Sequence, residues 1–557
     1  MDVAALRELV AAEQERFGVP GVALAVVVDG EVVLCEGFGL RDLEAQEPVT
    51  ADTHFPIASD SKAFTAALLC QSAAEGALDL DQPVRTIIPW FEMRDPHATA
   101  LVSARDLLAH RTGLPRHDFI WYGKADISNE SVARALRHLE PNKPLRQTWQ
   151  YNNLCFLTAG HLTEVLTGLD WGQALQDKVL TPLGMSATVL DPHDPSVKAM
   201  AQPYKAVKGA PELQQIPEKN EAGPAGGIVS TATDMAQWLL ARLGSRPDVL
   251  PEAALAQLHA PAMIGGVGAL PFAERQPMGY ALGCQVESYR GTRIVRHGGN
   301  LIGFSSDVTV VPSHGIGIAI LTNLHATSLR DALPLMILDR LLGHEPAPWG
   351  ERYHELMTAM VQGREEALEH HTSSAAGRPA GRALDEYVGD YRHPAYGTFA
   401  VSVDGDRLVP DFHGLGDLLR LDHRDNEAYD LFVVEFDMAL PLVFTQTSNG
   451  AVDGFALGLE PNVAPIRFER VHGADPALLA ALPGAYALGP LTLTVQQRGD
   501  ELVASVPSAG SVVLVSAGGT RFTSPTMPSL SLEAVVAADG SVTELVADPV
   551  GVFRRQP

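Results

Sequence analysis

Hydrophobic and polar positions follow different periods along the chain and divide it into three textures. The opening segment MDVAALRELVAAEQERFG spaces its apolar residues as an amphipathic helix. Two apolar runs follow at 22–28 and 31–37, joined by Asp29-Gly30, a dipeptide suited to a two-residue hairpin turn. Helical patterns dominate from there to about residue 260, with Pro- and Gly-rich breaks between them. Strand patterns return at 279–288, 292–296, 304–311 and 315–322, and a helix follows near 329–342. Strands at both ends of a helical middle predict one antiparallel sheet assembled from the two ends, an α+β arrangement.

Beyond about residue 345 the texture changes. Residues 351–371 read as a polar helix, and TSSAAGRPAG at 372–381 has the composition of a linker. The rest alternates with period two between regular turns, as at Phe399, Val401 and Val403 and again at Leu491, Leu493 and Val495. It also repeats. Gly389-Asp390-Tyr391 matches Gly484-Ala485-Tyr486, and Gly405-Asp406-Arg407-Leu408-Val409 matches Gly499-Asp500-Glu501-Leu502-Val503. Arg467-Phe468-Glu469-Arg470 and Val552-Phe553-Arg554-Arg555 close the two units. Two copies of one small β-barrel module are expected. The domain boundaries predicted are 1–345 for the α+β domain, 346–382 for the helix and linker, and 383–473 and 474–557 for the barrels.

Composition narrows the class of function. With 557 residues, 46% apolar and 19% charged, the chain is long enough for several globular domains. No apolar run approaches the ~18 residues of a membrane-spanning helix. Lys+Arg 41 against Asp+Glu 67 gives a net charge of −26, a field that repels phosphate backbones and anionic lipid. Neither nucleic acid nor membrane is expected as a partner. Four cysteines at 35, 70, 155 and 284 match neither a zinc nor a redox pattern. The N-terminal helix lacks the basic and apolar regions of a secretory signal, so a cytoplasmic location is expected.

Three segments carry candidate chemistry; G-x-S-x-G, a phosphate-binding loop and H-E-x-x-H are all missing from the sequence. In Ser59-Asp60-Ser61-Lys62, at the start of an apolar helix, Ser59 and Lys62 lie one turn apart on one face. A hydroxyl needs a base to become a nucleophile, and a lysine serves once burial leaves its amine neutral. In Tyr151-Asn152-Asn153, the tyrosine can pass protons and the second asparagine can hold a substrate amide. In His297-Gly298-Gly299-Asn300, the glycines admit close backbone approach, and an N–H just past them can form half an oxyanion hole.

Ser59-x-x-Lys62, Tyr151-x-Asn153 and His297-Gly298-Gly299, in this order, resemble the three motifs of the serine β-lactamase and penicillin-binding fold. They resemble the D-aminopeptidase, D,D-peptidase and esterase branch, related to class C β-lactamases. Asp106–Leu114 and 225–231 resemble the family too, and the two β modules resemble the lipocalin-like barrels appended to D-aminopeptidases. The resemblance implies Ser59 as nucleophile, Lys62 as its activating partner and Tyr151 as proton shuttle. It implies Asn153 as a substrate-amide ligand and His297 in the place usually held by lysine. The N–H groups of Ser59 and of Asn300, just beyond Gly298 and Gly299, would form the oxyanion hole. Gly298 departs from the usual threonine, which predicts weaker recognition of a free C-terminal carboxylate. The expected activity is hydrolysis, through an acyl-enzyme and with neither metal nor organic cofactor, of short peptides or amides carrying D-residues. Short-chain ester cleavage, weak β-lactam hydrolysis and non-catalytic binding of peptidoglycan-like peptides are the alternatives. The segment 523–530 is a candidate access loop, and the barrels could instead provide contacts for a homo-oligomer.

Overall fold

The computed structural model describes residues 2–124, 127–215, 223–264, 272–373, 380–471, 476–498, 501–507, 510–518, 520–524, 527–537, 539–548 and 550–556. The chain packs as two units, Met1–Ser374 with Leu459–Ala464, and Ala375–Gly458 with Pro465–Pro557. Among the described residues no helix is long and apolar enough to cross a membrane.

The first unit is built on an antiparallel sheet. Its strands are β1 (Gly21–Val28), β2 (Glu31–Asp42), β3 (Glu47–Pro48), β4 (Arg275–Tyr280), β5 (Gln285–Tyr289), β6 (Thr292–Leu301), β7 (Phe304–Val311) and β8 (Ile316–Thr322). They lie in the order β3-β2-β1-β8-β7-β6-β5-β4. The hairpin turn at Asp29-Gly30 has both residues at positive φ (51° and 82°), which matches its twist to that of the strands. The two chain ends meet where β1 pairs with β8, Ala25 opposite Ala319.

Both faces of the sheet are covered, which is why β1 and β8 read as continuous apolar runs. Val22, Leu24, Val26, Ile318 and Ile320 pack with Leu6 and Val10 of α1 (Val3–Arg16). On the other side, Gly317 lies against Leu239 and Leu243, at the end of the helix Ala232–Arg242. Trp238 of that helix stacks on Phe64 at 3.8 Å, which anchors α2 (Ser61–Ala74). A buried aromatic pair of this kind contributes about 0.5–1.5 kcal/mol beyond its burial. α3 (Asn153–Thr167) is capped by Asn152, whose side chain accepts from Cys155 N at 3.0 Å. α4 (Leu329–Leu341) and α5 (Trp349–Ser373) follow β8.

One strand expected at 279–288 is two. β4 ends at Tyr280, β5 starts at Gln285, and Ala281 N donates to Cys284 O at 2.8 Å across the turn. Gly283 sits there at φ 79°, and a Cβ on it would come within 2.8 Å of Lys62 O. The turn thus presses against the helix that carries Lys62, which an apolar pattern alone does not reveal.

The second unit holds the two repeats, each of eight antiparallel strands. β9 (Gly389–His393), β10 (Gly397–Asp404), β11 (Arg407–Phe412), β12 (Leu419–Asp425), β13 (Ala428–Val433), β14 (Met438–Gln446), β15 (Val452–Leu457) and β16 (Ile466–Arg470) form the first. They are ordered β11-β10-β9-β16-β15-β14-β13-β12, around the buried rings of Phe399, Phe412, Phe455 and Phe468. β17 (Gly484–Leu488), β18 (Leu491–Arg498), β19 (Glu501–Val506), β20 (Gly510–Gly518), β21 (Arg521–Ser524), β22 (Met527–Val536), β23 (Val542–Asp548) and β24 (Gly551–Arg555) form the second, a closed barrel.

The repeat extends to side-chain chemistry. Tyr391 OH donates to Tyr387 O at 2.6 Å, and Tyr486 OH donates to Leu482 O at 2.7 Å. Arg470 and Arg555, each in the last strand of its barrel, lie over those two rings at 5.9 and 5.6 Å. The expected access loop at 523–530 is mostly strand: Thr523 and Ser524 end β21, and Met527–Val536 is β22. Its remaining residues, Pro525 and Thr526, lie outside the described residues, as do Gly499 and Asp500 of the repeat motif.

Candidate active site

Ser59 lies in the short turn Ala58–Asp60 that leads into α2. Ala58, just before it, has φ 46°, a left-handed conformation that a non-glycine residue holds only where its surroundings enforce it. Here Ile57 N donates to Ile228 O at 2.9 Å, while Phe55 and Pro56 pair with Ser230 and Val229. Thr65 Oγ1 donates to Pro224 O at 2.7 Å, and Ser61 Oγ accepts from Ile228 N at 3.1 Å. The 224–230 segment thus fixes both the turn and the first helical turn after it.

Two proton-bearing groups converge on Ser59. Lys62 Nζ lies 3.2 Å from Ser59 Oγ and donates to Ala225 O at 2.6 Å. Tyr151 OH donates to Ser59 Oγ at 2.8 Å. Ser59 and Tyr151 are partly exposed, whereas Lys62 is fully buried. Burial pushes the Lys62 ammonium well below its ordinary value, and the Arg116 charge pushes it the same way. A neutral lysine has two N–H groups and one lone pair. Ala225 O, which only accepts, takes one N–H. Lys62 Nζ as an ammonium donates to Ser59 Oγ; once the amine is neutral, Ser59 Oγ, which receives the Tyr151 proton, has its own hydrogen to give to the Lys62 lone pair. Burial holds the Tyr151 phenol above its usual range, so it is a proton donor at neutral pH.

Asn153 is the first residue of α3, directly after its cap Asn152. Its Nδ2 donates to Asp118 Oδ1 at 2.9 Å, and its buried Oδ1 has no protein partner among the described residues. Asp118 also accepts from Trp121 Nε1 at 3.0 Å and from Arg116 Nε at 2.7 Å, and the Arg116 guanidinium lies 5.0 Å from the Tyr151 ring centre. Glu460, within Leu459–Ala464 of the same unit, accepts from His117 N at 2.6 Å. Burial raises its carboxyl to about 7.

His297 lies beside these groups but is engaged elsewhere. Its Nδ1 is 2.9 Å from Gly298 O and its Nε2 is 3.0 Å from Tyr280 OH. A carbonyl only accepts, so the proton sits on Nδ1, and Nε2 accepts from Tyr280. Burial, with Lys62, Arg330 and Arg296 nearby, lowers the imidazole to about 3, so it is neutral.

The two glycines meet different neighbours. A Cβ on Gly298 would lie 3.0 Å from Arg330 Nη1, so the guanidinium stands where a side chain at this position would project. Arg330 Nη1 donates to Gly299 O at 2.6 Å. The Asn300 amide fits with its oxygen accepting from Arg330 at 2.9 and 3.1 Å. A positive charge therefore lies beside this strand, supplied by α4 rather than by His297. Gly299 admits no side chain at all: a Cβ would run into Ile57 O and Ser306 Oγ. Gly299→Ala is expected to cost about 1–3 kcal/mol of stability through overpacking. Denaturant unfolding, with turnover assayed in parallel, checks both that loss and a fall in turnover.

Sequence reasoning brought Ser59, Lys62, Tyr151, Asn153 and the 297–300 strand to one place. It missed Arg116, Asp118, Ala225 O, Tyr280, Arg330 and Glu460. Arg116 and Asp118 follow the His110-Arg111-Thr112-Gly113-Leu114 stretch directly and could have been read with it. A backbone carbonyl and residues contributed from distant segments carry no local signal.

Sheet, helices and this cluster define a β-lactamase/transpeptidase-like fold, followed by two barrel-like all-β domains. The chain belongs to the β-lactamase family and is a hydrolase of that fold: the family model described as Beta-lactamase matches residues 6–340. A second, described as Domain of unknown function (DUF3471), matches residues 373–470. The chain is 32% identical over 421 residues to the protein named Unguisins hydrolase ungD' of Aspergillus campestris (strain IBT 28561), spanning 72% of this chain and 78% of that one. Its fold is similar to that of the octameric penicillin-binding protein homologue from Pyrococcus abyssi (TM-score 0.56, 22% identity, 83% of this chain and 99% of that chain). It is also similar to D-amino acid amidase from Ochrobactrum anthropi SV3 (TM-score 0.51, 24% identity, 62% of this chain and 98% of that chain).

Proposed function

We propose that the protein is a serine hydrolase that forms an acyl-enzyme on Ser59 and cleaves amide bonds of short peptides or amides, those carrying D-residues foremost. The observation that carries this reading is the proton arrangement at Ser59 Oγ, 3.2 Å from a buried lysine amine and 2.8 Å from a tyrosine hydroxyl. Ser59 Oγ attacks the carbonyl carbon and its proton passes to Lys62 Nζ. The oxyanion is held by the N–H groups of Ser59 and Asn300. As the C–N bond breaks, the amine leaves with a proton from Tyr151, and the proton held by Lys62 restores the phenol. Water then repeats the sequence on the ester and frees Ser59. Asn153, two residues from Tyr151, is the side chain assigned to hold the substrate amide, which favours amides and peptides over simple esters. The kinship with a protein named as a hydrolase, at 32% identity, supports the same reaction class.

Release of p-nitroaniline from D-alanine p-nitroanilide, with the L-enantiomer beside it, tests the substrate. D-selective release is expected. Release only from p-nitrophenyl esters would replace the amide reading with an esterase. A fluorophosphonate that adds mass to the Ser59 peptide tests the nucleophile, and labelling elsewhere or nowhere overturns it.

A further inference from the structure

Ser306 Oγ lies 2.8 Å from Ile57 O and 2.6 Å from Asp60 Oδ2. A hydroxyl has one proton, a carbonyl has none to give, and an ionised carboxylate only accepts. With Asp60 ionised, the one Ser306 hydrogen would have to be split between two acceptors, which weakens both contacts. With Asp60 as a carboxylic acid, its O–H donates to Ser306 Oγ, and Ser306 O–H donates to Ile57 O, so both contacts are hydrogen bonds. The second Asp60 oxygen agrees: among the described residues Oδ1 is buried without a protein hydrogen-bond partner, a position far less costly for a neutral carbonyl oxygen than for half of an anion.

Among the described residues no counter-charge lies at bonding distance. Asp307 on β7 faces Asp60 with a like charge. Arg296 on β6 is bonded to Asp307 at 2.5 Å and Asp331 at 3.0 Å, and Arg330 on α4 is bonded to Gly299 O. Lys62 of α2 is turned to Ser59 and Ala225, and the Tyr280 hydroxyl to His297. Burial first, then Asp307, pushes the Asp60 carboxyl well above the ordinary carboxylate range.

The bond links the two halves of the proposed site. Asp60 follows Ser59 in the same turn, and Ser306 pairs across β6 and β7 with Gly299, next to Asn300. We propose that Asp60 is a permanently neutral carboxylic acid whose O–H, relayed through Ser306 to Ile57 O, positions the Ser59 turn against the Gly299-Asn300 strand. Its neutrality has a second effect: an anion two residues from Lys62 would favour the ammonium form and weaken the base. The catalytic part rests on the acyl-enzyme reading; the protonation state does not.

The infrared difference spectrum of the full-length protein minus Asp60→Asn at pH 7 tests the proton directly. A protonated-carboxyl C=O band that disappears in the variant is expected, and its absence in folded wild type overturns the proposal. Kinetics with the acyl substrate test the role. Asp60→Asn, whose amide N–H replaces the acid's O–H, is expected to stay within about 3-fold of wild type in kcat, whereas Asp60→Ala and Ser306→Ala lose about 10- to 100-fold with KM little changed. The acid limb of kcat/KM stays in place in Asp60→Asn. Removal of a real negative charge would move it to lower pH, and that shift overturns the proposal. So does an Asp60→Asn protein that is folded by circular dichroism yet as impaired as Asp60→Ala. If either alanine variant fails to fold, the band and the Asp60→Asn profile still decide. A band in a wild type inert to every acyl donor upholds the neutral acid and overturns the acyl-enzyme reading.

Discussion

Ser59→Ala is expected to lower turnover of acyl substrates by about 10⁴- to 10⁶-fold while leaving substrate binding largely intact. The variant deletes only the oxygen on which Lys62 and Tyr151 converge. Lys62 keeps its bond to Ala225 O at 2.6 Å, and the turn keeps its backbone bonds to the 224–230 segment. The fold therefore persists, with a melting temperature close to that of wild type. Steady-state kinetics beside a thermal melt separate lost chemistry from lost structure, and isothermal titration with a slow substrate reports binding. Wild-type turnover in a folded Ser59→Ala protein would end the acyl-enzyme reading. Equal and tight substrate binding by both forms, with no turnover by either, would favour a binding protein on the same fold.

How much of this was legible in the sequence differs by element. The sheet could be read from its ends because both faces of β1 and β8 are covered, which leaves continuous apolar runs at residues 22–28 and 315–322. The barrels could be read because period-two alternation and turn signals recur at an offset near 95 residues at the start of each unit, the separation of Tyr391 and Tyr486. The β4–β5 hairpin could not, since its turn is set by contact with Lys62 O rather than by an Asn-Gly or Asp-Gly pair. At the site, Ser59 and Lys62 were legible because three-residue spacing on a helix is a local fact. Asp60 carries no local signal of protonation, because an acid beside a candidate nucleophile reads as an anion. The signal for the proposed Asp60 proton is Ser306, 246 positions away, whose one hydrogen otherwise has to serve two acceptors. Gly298 was legible as a departure, but its reason, the Arg330 guanidinium, comes from a helix beyond the last strand of the sheet.

Lys62→Arg is expected to lose about 10²- to 10⁴-fold in kcat/KM and to gain nothing back as the pH rises, because a guanidinium does not deprotonate in the range where proteins are folded. Wild type behaves differently. On the acyl-enzyme reading the base is the neutral amine, so kcat/KM is expected to fall as the pH drops through the Lys62 pKa. Burial sets that limb well below the 10.5 of a free lysine. The same shift fixes a sign for stability. A lysine whose folded pKa is depressed binds fewer protons folded than unfolded, so unfolding free energy rises with pH between the folded value and 10.5 and is flat below that window. Lys62→Met, which cannot be protonated, removes this slope and raises stability near neutral pH while abolishing turnover. Denaturant unfolding of wild type and Lys62→Met across the pH range, paired with their pH–rate profiles, reads both at once. The acid limb of catalysis and the onset of the stability slope belong to one proton, so they fall at the same pH in the free enzyme. A limb that survives in Lys62→Arg would move the base to another group, and the Tyr151 phenol, 2.8 Å from the same oxygen, is then the one to replace.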